Sequence, residues 1–158
     1  MLQRIQSVFL AIVAIASVMV FFFPLADYYH EYNGNYQFFI YGVRCMDPEP
    51  KVVFSQFFTI PLIALAAASF LFALTALFSY KNRSLQIRIC SFNLIINVVL
   101  VAVIFFFYAT RIQSMTQIEP NYRHLGILFP LVSILCLILG TRAIRKDENL
   151  VKSADRLR

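Results

Sequence analysis

Asn93 and Asn97 stand four residues apart in a segment that is otherwise almost wholly apolar, with Ser91 shortly before them. Four residues is about one helical turn, so the two amides share a face. A side-chain amide taken out of water without a hydrogen-bond partner costs roughly 2–7 kcal/mol. Both must therefore face protein or water, and two chemistries satisfy them. One is a hydrogen bond between helices, with Ser69, Thr75 or Ser133 as partners. The other is a polar lining for a ligand or ion. His30 and His124, with Asp27, Glu31 and Cys45, are the residue types of a metal site, but nothing in their order has ligand spacing. The cysteines Cys45, Cys90 and Cys136 fall at three depths without a Cys-x-x-Cys pair, which argues against a thiol relay. Cys90 and Cys136 read instead as small buried hydrophobes. No Gly-rich phosphate loop, His-Glu-x-x-His, Gly-x-Ser-x-Gly or EF-hand pattern occurs. With no acidic or basic residue in mid-segment, proton-coupled transport is disfavoured as well. The expectation is no catalytic residue, no metal and no cofactor.

The elements that carry these residues are set by composition. Of 158 residues, 60% are hydrophobic and 14% charged, with a mean hydropathy of +0.72. Soluble domains carry about 25% charge. Apolar runs of about 20 residues match a bilayer core about 30 Å thick, and four are present, at residues 5–25, 58–80, 87–110 and 125–144. The expected fold is an all-α membrane protein: a four-transmembrane-helix bundle forming a single domain over residues 1–158. A small extracytoplasmic β-hairpin cap is expected from residues 27–56, and a cytoplasmic amphipathic tail from residues 145–158, where Leu150, Val151, Ala154 and Leu157 recur at helical spacing.

Charge orients the spans. Arg4, Lys81, Arg83, Arg88, Arg142, Arg145, Lys146, Lys152, Arg156 and Arg158 fall on one side. Arg44, Lys51, Arg111 and Arg123 fall on the other, with Asp27, Glu31, Asp47, Glu49 and Glu119. The positive-inside rule puts both termini in the cytoplasm and residues 27–56 outside. A net charge of +6 dispersed over short loops does not make a nucleic-acid surface. The first segment is expected to be a retained helix, because its core Val8–Phe23 exceeds the length of a signal-peptide core and Pro24-Leu25-Ala26 is a poor cleavage site.

Gln3-Arg4-Ile5-Gln6-Ser7, an aliphatic helix and then Phe22-Phe23-Pro24-Leu25 make up this first segment. It resembles the amino terminus of a family of small uncharacterised four-helix membrane proteins of Bacteroidota. The resemblance implies a location, the bacterial inner (cytoplasmic) membrane, and a multi-pass topology, and no activity.

Outside the spans, Asn33-Gly34 is a strong two-residue hairpin signal. Closing there would set His30 opposite Gln37 and Tyr29 opposite Phe38, with aromatic residues on both faces. Such a hairpin needs company from lipid, helix ends or a partner. Lys51-Val52-Val53-Phe54 would add a third strand. In the second span Ala64/Ala68 and Ser69/Ala73 give small residues four apart, the mark of a close-packing helix. Pro24 is expected to end the first span. Tyrosines cluster toward segment ends, as in an interfacial belt.

These features favour a non-enzymatic accessory or scaffolding subunit that works by protein–protein contact with a partner or a second copy. The contact candidates are Tyr29, Tyr32, Tyr36, Phe38 and Tyr41. The alternative is a binder of lipid, quinone or another small hydrophobe, or an enzyme acting on one. Its pocket would lie between the outer helix halves, with Asn93 and Asn97 at the floor.

Overall fold

The computed structural model describes residues 2–30, 34–47, 52, 54–80, 82–122 and 125–156. Four helices form the body: α1 (Leu2–Met19), α2 (Ile60–Phe78), α3 (Arg83–Thr116) and α4 (Leu128–Arg156). Each packs on the next in chain order and α4 closes on α1, giving an up-and-down ring with short connections. Buried positions on α2 are Leu62, Ala66, Ser69, Ala73 and Ala76; on α3 they run Gln86, Cys90, Asn93, Asn97, Leu100. Steps alternating between four and three are the heptad pattern of left-handed, knobs-into-holes packing. Ser69/Ala73 thus lies on the packing face as expected. Ala64 does not, since it is exposed and Ala68 only half-buried.

The helix limits depart from expectation at three places. α1 stops at Met19, five residues before Pro24, and its last turn tightens as Phe21 and Phe22 donate to the carbonyls of Val18 and Met19. The chain must already be extended at Leu25, whose amide donates to Phe38 across the sheet at 2.7 Å. α3 runs past residue 110 to Thr116, and between Val103 and Ala109 it widens into a π-helix. Through and beyond that insertion inward residues recur every four: Ile104, Tyr108, Ile112, Thr116. The tail is no separate helix, because α4 continues unbroken for 29 residues. It is tied back by Arg83, whose Nη2 lies 3.0 Å from Asp147 Oδ2 while Nη1 donates to the Asp147 carbonyl.

A four-stranded antiparallel sheet caps one end, in the order β3-β2-β1-β4. Its strands are β1 (Ala26–His30), β2 (Gly34–Phe39), β3 (Gly42–Cys45) and β4 (Pro120–Asn121). The β1–β2 hairpin is present, but in a different register from the expected one. His30 faces Gly34, Tyr29 faces Asn35 and Tyr28 faces Tyr36. The shift of three residues is odd, so it exchanges the faces. Ala26, Tyr28, Tyr36 and Phe38 now form one buried side, and Tyr29 turns outward. The connecting residues 31–33, with Tyr32 and Asn33 of the expected turn, lie outside the described residues. The third strand is Gly42–Cys45, while Val52 and Phe54 are irregular and residues 51 and 53 lie outside the described ones. The fourth comes from the loop after α3 and pairs Asp27 with Asn121.

Two apolar clusters result. Near the sheet, Leu25, Tyr28, Tyr36, Phe38 and Ile40 pack with Leu62, Leu100, Ile104, Tyr108 and Ile112. At the other end Leu10, Val13, Ala73, Ala76, Cys90, Leu137 and Ile144 pack together. Among the described residues three helical stretches, Phe57–Phe78, Arg83–Thr116 and Leu125–Asn149, are long and apolar enough to cross a membrane; the apolar part of α1, Gln6–Met19, is shorter.

Candidate functional site

Between the two clusters lies a polar layer. Asn93 Nδ2 donates to the Ser69 carbonyl at 3.1 Å, and Asn97 Nδ2 to Ser69 Oγ at 2.8 Å. The same Asn97 nitrogen lies 2.9 Å from the Asn93 carbonyl and 3.0 Å from Asn93 Oδ1. With two hydrogens serving three acceptors, one hydrogen is shared. Ser17 Oγ donates to the Val13 carbonyl and sits 3.3 Å from Ser69 Oγ, which draws α1 into the layer. Ser69 is the partner among the three expected, since Thr75 and Ser133 bond within their own helices. The adjoining cavity, lined by Ser17, Ser69, Asn97, Pro130 and Ser133, measures about 10 Å³, room for one water. The amides thus join α2 to α3 and leave little space for a ligand.

Truncating Asn97 to alanine strands Asn93 Oδ1 and leaves Ser69 Oγ only its longer contact with Ser17, with an expected loss of about 1–3 kcal/mol. Because Asn93 and Asn97 share one network, a double-mutant cycle with Asn93→Ala should show coupling of about 0.5 kcal/mol or more. Chemical unfolding in detergent measures both, and strict additivity would count against the shared network.

Two buried tyrosines fix the sheet to the helices, and a third fixes it to the segment before α2. Tyr108 Oη donates to the Phe58 carbonyl at 2.8 Å, and its ring stacks on Phe38 at 5.9 Å and meets Phe58 edge-on at 5.0 Å. Tyr28 Oη donates to the carbonyl of Ala109, within the π segment, at 3.4 Å. Tyr36 Oη accepts from the Val52 amide at 3.2 Å. Burial, and secondarily the nearby Tyr122 phenol, push the Tyr28 phenol well above its usual range. The neutral form is thereby favoured in the folded state. Its contribution is complete below the unfolded phenol's pKa near 10 and drains away as pH climbs above that. Tyr28→Phe should accordingly flatten the loss of stability above about pH 10, as read by thermal melts across that range; an unchanged alkaline slope would show that another group controls it.

The sheet's other face is open. Tyr29 is 69% and Met46 62% exposed. The Arg44 guanidinium lies 5.2 Å from the Tyr41 ring centre and 5.4 Å from that of Phe39, and those two rings stack at 5.2 Å. The loop after β3 is pinned where the Asn35 amide donates to Asp47 Oδ2 at 2.7 Å. A hollow of about 130 Å³ opens among Tyr29, Asn35, Gln37 and Met46.

Of the expected contact residues, then, Tyr29 faces outward and Tyr41 lies half-buried beside Arg44, whereas Tyr36 and Phe38 are spent inside the fold. Tyr32 lies outside the described residues. Arg44 and Met46 were not anticipated; placing β3 at Gly42–Cys45 would have put them on show. Among the described residues no three His, Cys, Asp or Glu gather as metal ligands.

One family profile matches residues 2–157, taking in all four helices and the sheet. The chain belongs to that family, the Domain of unknown function (DUF4293). The DUF4293 match extends a likeness first visible in the opening helix to nearly the whole chain. No curated protein and no solved structure matches it.

Proposed function

We propose that this DUF4293 protein is a non-enzymatic accessory subunit of the inner membrane of a Bacteroidota bacterium. It crosses the bilayer four times with both termini in the cytoplasm, and it contacts another protein through the outer face of its sheet. Several features support the membrane placement. The helices turn apolar side chains outward, with Phe106 83% exposed and Leu71, Phe78, Phe92 and Leu135 also exposed. Arg4, Arg83, Arg88, Arg142, Arg145 and Lys146 lie toward the end opposite the sheet, against Arg44 and Arg111 at the sheet end. α1 supplies the fourth crossing: 18 residues rise about 27 Å, and the tight turn after Met19 adds to that.

The observation that carries the contact role is the open sheet face. Tyr29, Tyr41, Arg44 and Met46 are residue types enriched at protein interfaces. Tyr29 and Arg44 stand on strands, Tyr41 in the turn between β2 and β3, and Met46 just past β3, where its amide donates to the Asn35 carbonyl at 2.8 Å, so little ordering is lost on binding. Gentle detergent extraction with size analysis is the test. The expected result is a complex larger than one chain that Tyr29→Glu with Met46→Glu dissolves without lowering the melting temperature. A homogeneous monomer with no co-purifying protein would sink the proposal. The pocket reading draws no comparable support, since the space between the outer helix halves is filled by Tyr28, Phe38, Ile40 and Tyr108.

A further inference from the structure

Near the end away from the sheet, a cavity of about 200 Å³ opens between α3 and α4, lined by Ser91, Leu94, Ile138, Thr141, Arg142 and Arg145. Its two halves differ in chemistry. Arg142 and Arg145 are exposed, three residues apart on one helix, and no carboxylate is among the lining residues. The nearest acids along α4 are turned to other uses or placed elsewhere: Asp147 is held by Arg83, and Glu148 is half-buried outside the lining. Arg88, exposed and one turn before Ser91, adds a third guanidinium to this end of α3. Ser91 Oγ spends its proton on the Ile87 carbonyl at 2.9 Å, so the charged donors that face an anion here are the guanidiniums. About 6 Å further into the bundle's length, one helical turn from Arg142, the walls become Leu94 and Ile138. Exposed Val98 and Leu135, a turn beyond those, continue the apolar track.

A cationic mouth above an apolar groove, at the height where the first charged residues of α4 appear, matches one kind of molecule. We infer that this groove binds an anionic glycerophospholipid of the inner leaflet. Its phosphate is gripped by Arg142 and Arg145, and an acyl chain lies along Leu94 and Ile138. Guanidinium forks suit phosphate oxygens geometrically, and basic clefts between membrane helices on the cytoplasmic side are favourable seats for acidic headgroups. A free phosphate would use the arginines and leave the apolar half empty; the groove's second half is what selects a lipid. The inference rests on the membrane placement proposed above but not on the partner role, and resistance of the protein to carbonate extraction checks that placement separately.

The purified protein in a nonionic detergent is titrated with dioleoyl-phosphatidylglycerol, dioleoyl-phosphatidylcholine or inorganic phosphate while its thermal midpoint is followed by circular dichroism. Phosphatidylglycerol is expected to raise the midpoint and the other two to leave it in place. Arg142→Gln with Arg145→Gln should need roughly twenty- to thirtyfold more phosphatidylglycerol for the same rise, whereas Arg111→Gln, exposed at the opposite end of α3, should need no more than the parent. Equal response to phosphatidylcholine, full response to inorganic phosphate alone, or an unshifted titration for the double variant would each overturn the assignment. Should the double variant not fold, Arg142→Gln alone is read by native mass spectrometry. Loss of retained phosphatidylglycerol is then the expected result, and undiminished retention the contrary one.

Discussion

Gly126→Ala is expected to destabilise the protein by about 3 kcal/mol or more, the upper end of the cost of overfilling a packed site. A Cβ at this position would run into the carbonyl of Pro24, with the Phe23 carbonyl also too close. Both obstacles are backbone, which cannot swing aside as a side chain tip does. They belong to the segment that leads from α1 into β1, so relief requires moving the start of α4 or the sheet itself. Phe23 and Phe129, whose rings lie 5.3 Å apart, pack across the same junction and would be pulled open with it. Gly42→Ala is the matched control, because a Cβ there meets nothing within 4 Å. Unfolding midpoints in detergent compare the two. A Gly126→Ala protein as stable as Gly42→Ala would mean that the α1–α4 junction is far looser than described.

Tyr108→Ala should cost about 3–5 kcal/mol, as for other fully buried aromatic side chains. The ring is 1% exposed and touches the sheet through Phe38 and the start of α2 through Phe58. Its removal leaves a void where three elements meet. Tyr108→Phe separates the contributions, keeping the ring and deleting only the bond to the Phe58 carbonyl, for an expected loss of about 1 kcal/mol. Near-ultraviolet circular dichroism should report loosened aromatic packing for the alanine variant and nearly none for phenylalanine. Equal losses for both would place the stabilisation in the hydroxyl instead of the ring.

The residues explain why some of this was readable in advance and some not. Long apolar runs give helices directly, and two amides at helical spacing in such a run must bond across to a neighbour, so the Ser69 partnership was within reach. The hairpin's register was not. Tyr28 and Tyr29, like Phe38 and Phe39, put aromatics on both faces, so alternation gives no preference. The choice is made by distant partners: the Ala109 carbonyl for Tyr28 and the Phe58–Phe38 sandwich around Tyr108. β4 was hidden because it has two residues and one is proline, which is tolerated only at a sheet edge, where Pro120 in fact stands. Pro24 misled for a related reason. It reads as a helix terminator, yet the helix had already ended to bring Leu25 into line with Phe38. The candidate contact set split the same way: Tyr29 and Tyr36 are alike in type, and only the register decides that one is open and the other enclosed.

The pairing of β1 with β4 stitches the segment after α1 to the segment after α3. Helices on opposite corners of the ring are thus laced together at one end of the molecule by a sheet. At the other end the described polar links include an Arg83–Asp147 ion pair, a buried bond from Gln86 to the Ala76 carbonyl at 3.0 Å and a long bond from Gln6 to the Ala143 carbonyl. The cap thus ties a diagonal pair of helices, whereas each of those links joins neighbours in the ring. A displacement that spreads α1 from α3 is therefore resisted directly at the cap, by main-chain pairing between the segments that follow them.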